Sequence, residues 1–136
     1  MFALLHHLLT AVAVGDRATA TAIVATLERS ALSGDRDQDR VARVVGAELA
    51  ARFAGLLDED ARSAPYRTEL DDIRRLGGSA AQRDVFLRTL ALLAAEGGSQ
   101  HELERVLKGR GRLRVDRFEQ IARARAERSA RTLEVA

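Results

Sequence analysis

The sequence predicts an all-α fold: antiparallel helix pairs stacked into a short superhelix and closed by a C-terminal capping helix. Three observations predict it. Apolar residues return at helical spacing along most of the chain. Ala, Leu, Arg and Glu, all good helix formers, dominate the composition. Two matching marks, Gly77-Gly78-Ser79 and Gly97-Gly98-Ser99, punctuate the pattern.

The first helix runs roughly over 2–14, where Leu4, Leu5, Leu8, Leu9 and Val12 make a broad apolar face. Gly15 ends it and Asp16 is placed to cap the next helix. That second helix covers about 17–31, with Ala20, Ile23, Val24, Leu27 and Ala31 on one stripe. After a Ser33-Gly34-Asp35 loop, a third helix covers about 37–57. Val41, Val45, Leu49, Phe53 and Leu56 keep one direction along it. Its opposite face begins with Arg36, Arg40 and Arg43 and becomes small at Ala47, Ala50 and Ala54. Tyr66, Leu70, Ile73 and Leu76 predict a fourth helix, with Pro65 near its first turn.

The two Gly-Gly-Ser marks bound a fifth helix, 80–96. In each mark a Gly ends one helix in the left-handed conformation. In each, Ser with Gln82 or Glu102 three residues later predicts a capping box. Phe86, Leu87, Leu90 and Leu93 are the core positions of the fifth helix. A short sixth helix, 100–108, buries Leu103, Val106 and Leu107. Gly109-Arg110-Gly111-Arg112 breaks the pattern, and a last, mostly solvated helix covers about 116–131, docking through Phe118, Ile121 and Ala122. The whole, 1–136, is one domain of three pairs, about 2–32, 37–76 and 79–108, plus the cap.

Composition narrows the chemistry. The chain has 136 residues, 46% hydrophobic and 31% charged, which describes a folded domain with a core. It has no Cys, so disulfides and thiolate metal sites are excluded. Lys108 is the only lysine; the other cations are Arg, a GC-rich coding bias of the kind found in some bacteria. The apolar start lacks a basic n-region and is too short to span a membrane, so it reads as a buried first helix of a cytoplasmic protein.

Helix starts recur at roughly 34–45 residues, within the range of helical repeats. Val14-Gly15-Asp16 with Ala20 looks like a tetratricopeptide turn in which Arg17 replaces the usual aromatic residue. The segment from Leu76 through Gly77, Gly78, Ser79, Ala80, Ala81, Gln82, Arg83, Asp84 and Val85 to Phe86 is similar to a motif near the C-terminus of the tetratricopeptide repeat protein 38 family. Phe2, His6 and Gly15 fall where that family has a Phe-Asn-Asp-x-His segment and its turn, with Ala3 and Leu4 in place of Asn and Asp. The likeness spans roughly Phe2 to Leu107, the C-terminal third of a typical member. It implies a helical-repeat scaffold and no catalytic mechanism.

The polar clusters differ in what their chemistry allows. His6 and His7 are adjacent, so they diverge by about 100° on a helix. His101 is the only other histidine. No metal and no cofactor is expected. Of Gln82-Arg83-Asp84, the capping box explains Gln82 and the helix start favours Asp84. Arg83 is left either to tie down a neighbour or to face a groove and hold a carboxylate or phosphate. Arg40 and Arg43, with Arg36, either line a groove for an acidic partner or form a solvated face. The basic run from Lys108 to Arg114 lacks an aromatic platform, alternates with acidic residues further on, and sits in a chain of net charge only +2. Nucleic acid is thus not the expected partner.

The expected function is a non-catalytic module that binds a protein or peptide in a helical groove. It self-associates, as a dimer, through the apolar surface of the first helix. The binding residues proposed are His6, Arg40, Arg43 and Arg83. The competing expectation is a small helical enzyme or ligand carrier with an apolar pocket between helices and the same polar contacts. A deep closed cavity touching both His6 and Arg83 favours the second; a shallow open groove favours the first.

Overall fold

Apolar spacing becomes packing first at the N-terminus. In the computed structural model, which describes residues 1–33, 35–58, 66–67, 69–111 and 116–135, α1 spans Phe2–Ala13 and buries Leu5, Leu8 and Ala11. Gly15, at φ +74°, turns the chain sharply. Asp16 then caps α2 (Arg17–Ser33) by accepting the Thr19 N–H at 3.0 Å. Ala20, Ile23 and Leu27 face the core.

The third expected helix is continuous but not uniform. α3 (Asp37–Val41) passes into a π-helical turn, Ala42–Gly46, then α4 (Ala47–Ala54) and a 3-10 turn, Gly55–Leu57. Gly46 sits at the end of the π turn, beneath Met1. A Cβ there would lie 2.5 Å from the Met1 sulfur, so the missing side chain is what seats Met1. Arg43 donates to the Ala31 carbonyl at 2.9 Å and Arg17 to the Leu57 carbonyl. α2 therefore runs antiparallel to this rod. α1, α2 and the rod form one three-helix unit around Leu5, Leu8, Leu27, Val45, Leu49 and Phe53. Fully burying each such large side chain contributes about 1.5–3 kcal/mol.

The expected fourth α-helix is corrected by the structure. Leu70–Leu76 is a 3-10 helix, and Tyr66 lies outside it. The sequence of that stretch explains why. Leu70, Ile73 and Leu76 are three apart, and residues three apart eclipse one another in a 3-10 helix. The ion pairs keep the same spacing: Asp71–Arg74 at 3.6 Å and Asp72–Arg75 at 2.7 Å. The expected role of Pro65 falls outside the described residues, as do Arg112 and Arg114 of the basic run.

The C-terminal unit follows the sequence closely. α5 is Ala80–Glu96, α6 is Gln100–Gly109 and α7 is Arg117–Val135. α7 packs on both α5 and α6. Ala122 and Ala126 are buried, but Ile121, expected to dock, is 47% exposed. An aromatic cluster joins the two units: Phe86 lies 5.7 Å from Phe53, 5.5 Å from Phe2 and 4.7 Å from His6, centre to centre. Among the described residues there is no strand, so the all-α class stands.

Candidate functional site

The segment from Leu76 to Phe86 forms a corner. Leu76 closes the 3-10 helix and is buried. Gly77 and Gly78 both take left-handed backbone, φ +82° and +73°. A Cβ on Gly78 would also collide with the Phe2 ring at 2.7 Å. The expected capping box is present in both directions. Ser79 N–H donates to Gln82 Oε1 at 2.9 Å, and Gln82 N–H to Ser79 Oγ at 3.2 Å. Arg83 donates through Nη1 to the carbonyls of Gly77 (3.1 Å) and Gly78.

The second box is only half made. Glu102 N–H donates to Ser99 Oγ at 3.4 Å, while the Glu102 carboxylate turns away and accepts the Tyr66 N–H at 2.7 Å. Gly98, at φ +68°, is the left-handed glycine expected of this mark, while Gly97 has φ −76°.

Beside the corner, a cleft of about 420 Å³ lies between the 3-10 helix, the first turn of α5 and the end of α6. Leu70, Ile73, Ala80, Ala81 and Leu87 give it apolar walls. Asp71, Arg74 and Arg83 supply charge, and Gly109 lets Leu70 come close: a Cβ there would meet Leu70 Cδ1 at 2.6 Å.

Asp84 and Arg110 also line the cleft, and they belong to an ion cluster. The Arg110 side chain is wholly buried. Its Nε lies 2.8 Å from Asp84, its Nη2 3.1 Å from Asp116 and its Nη1 3.0 Å from Glu119. The Phe118 ring covers it at 5.1 Å and takes Arg88 at 4.9 Å. Burial alone would lower the Arg110 pKa, but the hydrogen bonds to Asp84 and Asp116 outweigh it and raise it. The hydrogen bond from Arg110 holds the Asp116 carboxyl below its usual range. Arg110 is thus a fixed cation that binds α5, the end of α6 and α7 together.

Of the residues expected to bind, only Arg83 lies in the cleft. His6 sits on the far side of the Gly77–Gly78 corner. Its ring packs at a tilt against Phe2 (4.4 Å between centres) and Phe86 (4.7 Å), and its Nδ1 lies 3.2 Å from the Phe2 carbonyl oxygen. Arg40 is exposed and pairs loosely with Asp37 at 3.6 Å. Arg43 holds the end of α2. The structure does not bring these four together. Asp71 and Arg74 line the cleft without having been singled out as site residues, because an α-helical reading of 70–76 hides which of its side chains share a face, and Leu87, expected in the core, lines it too. Among the described residues no group of three His, Asp or Glu is placed to hold a metal ion, and no helix is long and apolar enough to cross a membrane.

Compared with known proteins, the chain matches no family model, no curated protein and no solved structure.

Proposed function

We propose that this chain is a non-catalytic interaction module that takes a segment of a partner protein in the cleft beside Arg83. The observation that carries the reading is the cleft itself: open, apolar on its walls through Leu70, Ile73 and Leu87, and edged by Arg74, Arg83 and Asp71. Such a surface accepts an apolar side chain and orients the chain that bears it by charge. The competing reading, an enzyme or carrier with an enclosed pocket, draws on a cavity touching both His6 and Arg83; this cleft reaches Arg83 only.

A tetratricopeptide-like stack is part of the same proposal. It is supported by α1 packing beside α4 and by α5 packing beside α7, the neighbour relations of successive first helices in such stacks. Self-association as a dimer in the cytoplasm completes it. α1 turns Leu5 and Leu8 inward and keeps Leu4, Leu9 and Val12 half-buried on either side of them, and these partly exposed side chains support docking of a second copy there. Sedimentation at high micromolar concentration reads this directly: a dimer supports it and a monomer contradicts it.

The cleft is tested by selecting displayed random peptides on the whole chain, then measuring their affinity for Leu87→Glu and Arg83→Glu. Peptides with an apolar residue beside a carboxylate are expected, with binding weakened about tenfold or more, that is about 1.4 kcal/mol, by either change. Failure to enrich any peptide, or binding to both variants as tight as to the unaltered chain, contradicts the reading.

A further inference from the structure

A second peptide-shaped feature lies away from the cleft, between α4 and α6, and it is filled. Tyr66 and Arg67 cross there outside any helix. Three of their main-chain groups are taken by charged side chains. Glu102 on α6 accepts the Tyr66 N–H at 2.7 Å. Arg105, one turn further along α6, donates to the Tyr66 carbonyl. Glu48 on α4 accepts the Arg67 N–H. Glu102 is 6% exposed, and Arg52, 5% exposed, carries the positive charge that faces both Glu48 and Glu102. The Tyr66 ring is 2% exposed and lies 5.9 Å from the Arg105 guanidinium.

This arrangement has the two parts of a peptide receptor. Contacts to main-chain N–H and C=O groups tolerate any side chain and give grip, while a pocket for one side chain gives selectivity. Here the grip is supplied by Glu48, Glu102 and Arg105 and the pocket takes an aromatic ring. A buried charge such as Glu102 is a costly way to satisfy a loop N–H, because it must be taken out of water. Glu102 even forgoes its capping partner, Ser99 N–H, to reach Tyr66. We infer that the space between α4 and α6 is a recognition slot for an extended peptide with an aromatic residue, and that Tyr66–Arg67 occupies it in cis as an exchangeable, self-inhibiting ligand. The inference stands apart from the cleft, since Glu48, Glu102 and Arg105 do not line that surface.

Two measurements on the full chain test it. The first is native-state hydrogen exchange at the Tyr66 and Arg67 amides. An exchangeable strap opens locally, so these amides should exchange at least about tenfold faster than the slowest amides of α5, and with less sensitivity to denaturant. Exchange only through global unfolding overturns the proposal. The second uses Tyr66→Ala and a blocked peptide, Pro-Tyr-Arg-Thr-Glu, copied from positions 65–69. The folded variant should bind this peptide and not its Tyr-to-Ala analogue, and adding Glu102→Leu, which offers no acceptor for the peptide N–H, should remove the binding. No binding to a folded Tyr66→Ala chain, or equal binding to the unaltered chain, overturns the proposal. Should Tyr66→Ala fail to fold, the exchange measurement decides alone.

Discussion

The two three-helix units are built from the same kind of helix but fastened differently. Around α1, α2 and the α3–α4 rod, large aliphatic side chains fill the core: Leu5, Leu8, Leu27, Val45 and Leu49 are all at most 1% exposed. The ion pairs described there, Arg36–Asp39 and Arg40–Asp37, sit at the start of α3. In the C-terminal unit, α7 brings mainly Ala122, Ala126 and the half-buried Phe118 to the interface. Charge does the rest: Arg110 with three carboxylates, Arg123 with Glu104 at 2.7 Å, and Arg125 with Glu96 at 3.2 Å. A helix with few apolar residues can be docked if its polar groups are paired in fixed geometry. It then inherits the sensitivity of charges to pH and salt.

Arg110→Ala is the sharpest way to break this contrast. It leaves Asp84, Asp116 and Glu119 facing one another without their buried cation, and removal of one member of a buried ion cluster costs about 3–5 kcal/mol. The expected outcome is a lower urea midpoint with early loss of amide protection in α7, while α1 and α2 keep theirs. Leu8→Ala tests the other unit. A cavity in its aliphatic core should cost about 2–5 kcal/mol, read as a lower midpoint that is the same at low and high salt.

Acid should separate the units further. The hydrogen bond from Arg110 depresses the Asp116 pKa, and the hydrogen bond from Arg123 depresses that of Glu104. A carboxyl with a depressed folded pKa stabilises fully above its unfolded value, about 4, and loses that contribution as pH falls through the folded one. Asp16 and Asp39 are depressed as well, by the hydrogen bonds from Thr19 and Arg36, but they serve helix starts and not a docking surface. Hydrogen exchange compared at about pH 6 and pH 3 should show α7 losing protection first. If α1 and α2 loosen as early, the ion cluster is not what holds α7. The smallest effects are expected at the exposed pairs. Arg123→Ala should cost about 0.2–1 kcal/mol and Arg40→Ala less than about 0.5 kcal/mol. Both are checked by thermal melts.

What was legible in the sequence divides along physical lines. α5 was readable to the residue, because Ser79 and Gln82 mark its start by local hydrogen bonding and Gly97-Gly98 marks its end. The all-α class and most core positions followed from helical periodicity. The 3-10 helix was misread because Leu70, Ile73 and Leu76 suit both a period of three and one of 3.6 over so short a span. Ile121 failed because α7 docks by paired charge, so its apolar residues need not face inward. Arg110 looked like one member of a basic run; nothing local says that Asp84, Asp116 and Glu119 converge on it. Glu102 carried a correct local signal for a cap and was drawn off by Tyr66, a partner 36 residues away. Of the cleft, Arg83 was legible because capping accounts for Gln82 and the helix start for Asp84 but neither accounts for Arg83, whereas Arg40 and Arg43 looked equally available until the α2–α3 corner placed them elsewhere.

The claim that the cleft is the binding surface is tested most directly by following backbone amide signals while a selected peptide is added. The largest shifts should fall at Ile73, Arg74, Ala80, Ala81, Arg83 and Leu87. Shifts centred on α1 and α2, with those residues unmoved, would contradict it.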